Sequence, residues 1–128
     1  MAIRIVRLGS ERLPGEGLRI GTVRRPPRGI LKADYASKNF YDVWLPLLAP
    51  TPHLVKLALA AESAKDWNRF VAKYRREMAA TDQNALLDTL AALSHRADFS
   101  VGCYCADPSR CHRSVLRQLF AERGAHIR

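Results

Sequence analysis

Residues 99–123 constrain the fold more than any other part of the chain. Phe99-Ser-Val-Gly-Cys-Tyr-Cys105 alternates so that Phe99, Val101, Cys103 and Cys105 share one face of a strand. Ala106-Asp-Pro-Ser-Arg110 follows as a tight connector, because Asp107 can cap and Pro108 suits a first helical turn. From Cys111 to Arg123 the spacing predicts a helix with Val115, Leu116, Leu119 and Phe120 inward, ended by Gly124. A strand that feeds a helix through so short a connector is a building unit of α/β folds.

The rest of the chain supplies partners for that unit. Ala2–Leu8 is short and β-branched and reads as a strand ended by Gly9-Ser10. Leu18–Arg24 reads as a second strand, closed by Arg25-Pro26-Pro27-Arg28-Gly29, whose two prolines and glycine forbid regular pairing. Residues 30–52 are aromatic and broken by proline, and short helical pieces are expected there. Ser63 can cap a helix whose third position is Asp66, with Trp67, Phe70, Val71, Tyr74 and Met78 on its apolar stripe. Thr81 or Asp82 starts another, burying Leu86, Leu87, Leu90 and Leu93, and Ala125–Ile127 begins a last edge strand. The expectation is one compact α/β domain over 1–128, a Rossmann-like layered sheet flanked by helices. A chain of 128 residues with 48% hydrophobic and 26% charged residues can bury a core without staples.

Charge is distributed unevenly. The net charge is +9, and it divides into +6 over residues 1–32, −1 over 33–109 and +4 over 110–128. If the fold joins the two ends, it makes a positive surface suited to phosphate, nucleotide or nucleic acid; otherwise the charge serves solubility. No apolar run approaches the roughly 20 residues of a membrane span. Arginines interrupt the opening Met-Ala-Ile-Arg-Ile-Val-Arg, and three cysteines make no disulfide framework. A cytoplasmic, reducing setting with no membrane partner is therefore expected.

The connector carries the chemistry. A helix start offers unpaired N–H groups, and here it also bears Arg110, Cys111, His112, Arg113 and Ser114. An anion, or a thiolate at Cys111, is favoured there. Cys111 can instead face the apolar underside with Val115, four residues on, as inert packing. Cys103, Cys105, Cys111 and His112 could in principle bind zinc. On a helix, however, adjacent Cys111 and His112 point about 100° apart, so no metal and no other cofactor is expected. A phosphatase-type loop fails on spacing, since Cys105 stands five residues before Arg110 and eight before Arg113. Cys103 reads as a small core residue.

The run Cys103-Tyr-Cys-Ala-Asp-Pro-Ser-Arg-Cys111-His-Arg113-Ser-Val-Leu-Arg117 resembles the C-terminal signature of the DUF488 family of uncharacterised bacterial and archaeal proteins. Leu18–Ile30, with an arginine ahead of Pro27-Arg28-Gly29, is similar to that family's other signature. Trp67–Arg75 resembles its central Trp/Phe–Tyr helix. One departure is Pro26, where members often carry Trp, so no stacking role carries over to this position. The resemblance implies a compact α/β fold with a ligand site and no established reaction. It also couples the two arginine-bearing signatures, which a shared pocket would explain; structural salt bridges to Asp34 or Asp107 are the plain alternative.

Three functions compete. The first is binding of a small phosphorylated or nucleotide-like anion at 103–114 together with the 24–29 loop. Arg24, Arg28, Arg110, Arg113 and Ser114 would hold it, His112 would act as acid or base, and Cys111 as nucleophile if the protein is an enzyme. The second is a basic nucleic-acid-binding module, although no helix-turn-helix, zinc-finger or aromatic-strand RNA motif is present. The third is an interaction or regulatory protein that uses the aromatic segment 35–44.

Overall fold

Four short strands form one parallel sheet in the computed structural model, which describes residues 1–128. They are β1 (Ile3–Arg7), β2 (Leu18–Gly21), β3 (Val43–Trp44) and β4 (Phe99–Cys103), in the order β1-β4-β2-β3. Parallel neighbours require crossovers. The one between β3 and β4 carries α1 (Pro52–Ala60), α2 (Ala64–Met78) and α3 (Thr81–Leu93), and α4 (His112–Glu122) follows β4. The domain is therefore α/β, with the two signature strands β2 and β4 paired directly.

Register explains the core. Ile3 pairs with Phe99, while Ile5 and Ile20 both pair with Val101, so these apolar side chains share one face. All four helices bury residues against that face, including Leu54, Phe70, Leu87 and Leu116. The Ser63 hydroxyl accepts the Asp66 N–H and starts α2 as its sequence predicts. Tyr74, fully buried on α2, donates its hydroxyl to the Leu48 carbonyl and ties the helix layer to the segment before α1.

The stretch expected to hold only short helical pieces does contain single 3-10 turns at Lys32–Asp34 and Pro46–Leu48, but it also supplies strand β3. Helix α1 has no sequence counterpart above; Thr51 precedes it and gives both N–H and hydroxyl to the Glu77 carboxylate. Strand β2 stops at Gly21, three residues short of the predicted end at Arg24. Leu93, expected inside, is exposed at the end of α3. The last edge strand is reduced to one bridge, Ile3 to Ile127.

The opposite face of the sheet is covered by irregular chain and a buried ion pair. Arg19 on β2 is fully buried and forks onto Glu16 at 2.8 and 2.9 Å. It also donates to the Ser10 and Asn39 carbonyls, both at 2.8 Å, while Ser100 donates to Glu16 at 3.1 Å. Every main charge is thus paired, the condition under which buried ions are tolerated. Gly17 sits at φ +76°, where a Cβ would collide with the Asp98 carbonyl, so the turn delivering Glu16 to Arg19 requires glycine.

Burial pushes the Glu16 carboxyl up, but the Arg19 guanidinium, the Ser100 hydroxyl and the Leu13 N–H more than reverse this and hold it below its ordinary value of 4.5. The stability it contributes is complete above that value and is lost as pH falls through the depressed one. Glu16→Gln should cost about 3–5 kcal/mol at neutral pH by leaving Arg19 charged and unpaired. It should also flatten acid denaturation below that range. Ser100→Ala should cost only about 1 kcal/mol, both read by denaturant melts.

Candidate functional site

The helix predicted from Cys111 to Arg123 forms over His112–Glu122, one residue shorter at each end. Pro108–Arg110 form one 3-10 turn, capped by Asp107, which accepts the Ser109 N–H and hydroxyl. The chain then straightens at Cys111 (φ −131°, ψ 148°) before α4 begins at His112. Cys111 is therefore the residue ahead of the helix, and the divergence expected of two adjacent helical residues does not arise.

The consequence is a cluster. The Cys111 and Cys103 sulfurs meet, with Cα atoms 7.7 Å apart, and Cys111 Sγ lies 3.8 Å from His112 Nδ1. Both cysteines are buried among Leu8, Val23 and Tyr41. His112 Nε2 lies 2.6 Å from the Thr22 carbonyl, just past the end of β2. A carbonyl only accepts, so Nε2 carries the proton and the Nδ1 lone pair is left facing the sulfur. Burial pushes the His112 pKa down to about 4, the Arg113 charge adds to this, and the Thr22 carbonyl opposes it. The ring is neutral at pH 7.

This cluster forms one end of a partly open, mostly apolar cavity of about 270 Å³ at the carboxyl ends of β2 and β4, where open α/β sheets gather ligands. Its other walls are apolar, from Val23, Pro50, α1 and Phe70. Arg110 reaches it with its guanidinium 5.9 Å from the centre of the Trp67 ring, at cation–π range. The Cys105 side chain also lines it; burial pushes that thiol up, with Arg113 opposing.

Arg113 faces a separate depression. It is 5% exposed, makes a single hydrogen bond to the Cys105 carbonyl at 2.8 Å, and leaves its Nε without a partner. No carboxylate pairs with it, and burial lowers its pKa. The depression, about 440 Å³, lies between Ile5 and the start of α4 and is lined also by Pro108, Ser109, Ser114 and Arg117. The Ser114 hydroxyl donates to the Cys111 carbonyl.

The remaining arginines lie apart. Arg24 is consumed by structure, donating to the Pro50 carbonyl at 3.0 Å and the Ala49 carbonyl at 3.1 Å. Arg28 is exposed and borders a shallow third depression with Arg25, Phe40 and Tyr104. The 24–29 loop does reach the 103–114 stretch, through the Tyr104 hydroxyl on the Arg25 carbonyl. Sequence reasoning passed over Cys103 as core and missed Thr22, Ser109 and Arg117. The shared strand face of Phe99, Val101 and Cys103 was the available signal, since it aims Cys103 at the sheet's carboxyl edge. Arg24→Ala should lower stability by about 1–3 kcal/mol in a denaturant melt, its two carbonyls losing a charged donor.

No curated protein and no solved structure matches the chain. The family model DUF488-N3a, described as the active DUF488-N3 subclade, matches residues 3–124, in agreement with the signatures at 18–30 and 103–117, and the chain belongs to the DUF488 family.

Proposed function

We propose that the chain binds a small phosphorylated or nucleotide-like anion at the start of α4. The observation that carries this is Arg113, a buried cation that makes no salt bridge and leaves its Nε unpartnered beside an open depression. An unpaired buried charge costs several kcal/mol, on the order expected for effective desolvation, so a fold that keeps one leaves an anion to complete it. The surroundings suit that anion. Arg117 brings a second cation, and the first turn of α4 has backbone N–H groups with no intrahelical acceptor.

Of the residues first considered for the anion, Arg113 carries this proposal and Ser114 lines the same depression with its hydroxyl given to the Cys111 carbonyl; Arg24 is engaged elsewhere, and Arg28 and Arg110 border other cavities. Cys111 and His112, the candidates for chemistry, belong to the apolar cavity. Cys105 joins the two places, its carbonyl on Arg113 and its side chain in that cavity.

Titration with inorganic phosphate and with nucleoside monophosphates, read by calorimetry and thermal shift, tests the proposal. The wild-type melting temperature should rise with ligand, and Arg113→Met should abolish the rise. Without ligand, Arg113→Met should be as stable as the wild type or more so, because it removes an uncompensated buried charge. A shallow salt dependence is expected for one phosphate group. A steep slope with duplex DNA, and no response to small anions, would favour the nucleic-acid module instead.

A further inference from the structure

We infer that Cys103, Cys111 and His112 form a site for a thiophilic divalent cation such as zinc, with a fourth position open to the apolar cavity beside them. This goes beyond anion binding at Arg113, and it uses different side chains.

The donor atoms are already assembled. The two sulfurs and His112 Nδ1 all lie within 4.8 Å of one another. A metal that holds sulfur at about 2.3 Å and nitrogen at about 2.0–2.1 Å spans donor pairs up to about 4.6 Å apart. The 3.8 Å between Cys111 Sγ and Nδ1 falls inside that reach. The sulfurs need only open from contact, and their Cα separation of 7.7 Å leaves room to do so. A disulfide commonly spans about 4.4–6.8 Å between Cα atoms, so this backbone spacing suits two ligands of one ion better than a direct bond.

The support around the donors is that of a metal site. The Thr22 carbonyl fixes the His112 ring through Nε2, the usual second contact of a ligating histidine, and turns the Nδ1 lone pair inward. The three donors come from a rigid strand end, from the residue ahead of α4 and from its first residue, and both cysteines are buried. Entry of the cation would form two S–metal bonds and one N–metal bond, and release the two thiol protons to solvent. The resulting centre is neutral: a divalent ion with two thiolates and a neutral imidazole. That suits an apolar surround.

Cys105 is not among the converging donors, so the protein supplies three ligands. Closed structural zinc sites use four, whereas two cysteines and one histidine leave a position for water or substrate. That position would face the cavity lined by Phe70, Val55 and Leu59.

Cobalt(II) titration of the fully reduced protein tests the inference. One equivalent should bind, with thiolate-to-cobalt charge-transfer absorption and the ligand-field intensity of a four-coordinate ion. Loss of an outer-shell partner commonly costs 10–100-fold in affinity, so Cys103→Ser, Cys111→Ser and His112→Asn should each cost at least about 100-fold. Cys105→Ser should bind as the wild type does. No charge-transfer band, a band that survives Cys103→Ser, or one lost in Cys105→Ser would overturn the assignment. If the serine variants do not fold, alkylation of the wild type decides. Cobalt should slow modification of Cys103 and Cys111 and leave Cys105 unaffected; rates unchanged by cobalt at all three would overturn it.

Discussion

The buried pair between Glu16 and Arg19 holds the open side of this fold together. A parallel sheet must be covered on both faces, and here the four helices occupy only one. The other is roofed by irregular chain, whose carbonyls need donors wherever they leave water. Arg19 supplies them from the strand itself, reaching Ser10 and Asn39 on two separate covering segments while Glu16 neutralises it. Asp42 extends the seam by accepting the Arg19 N–H and the Arg12 guanidinium. With that roof in place, β2 lies flat against β4 and delivers Thr22 to His112.

Two neighbouring places with opposite chemical demands follow from one short connector. The cysteines and the neutral His112 ring lie in apolar surroundings, while Arg113 lies at a cationic depression with Arg117. Consecutive residues at a helix start point in different directions, so His112 and Arg113 serve different cavities although they adjoin in the chain. The extended backbone at Cys111 decides the rest. One more helical residue there would carry its sulfur away from His112; the 3-10 turn ending at Arg110 brings it back over Cys103.

Much of the architecture was legible because it is written in local periodicity. The alternation of Phe99, Val101 and Cys103, the cap at Ser63 and the stop at Gly124 (φ +75°) are each set by a few adjacent residues. Strand β3 and helix α1 were not legible. Val43 and Trp44 are too few for a pattern, and they become a strand because Gly21 and Ile20 offer free ladder positions. Nothing in the local pattern of Leu18–Arg24 marks Arg19 as buried; it is the pairing with Glu16, three residues before it, that accompanies its place in the interior.

The sequence by itself determined the class of fold, the pairing of a β-branched sheet with amphipathic helices, and the family, since these rest on spacing and on contiguous motifs. It also singled out residues 103–114, where the cysteines, His112 and Arg113 lie. Tertiary structure decided which of those side chains meet. Arg24 was turned to the Ala49 and Pro50 carbonyls and Arg113 left without a salt bridge, while the Cys103 sulfur was brought against Cys111 beside His112. The physical reason is that donor geometry depends on where distant backbone groups arrive. The Thr22 carbonyl, 90 residues from His112 in sequence, sets which nitrogen of that ring is free.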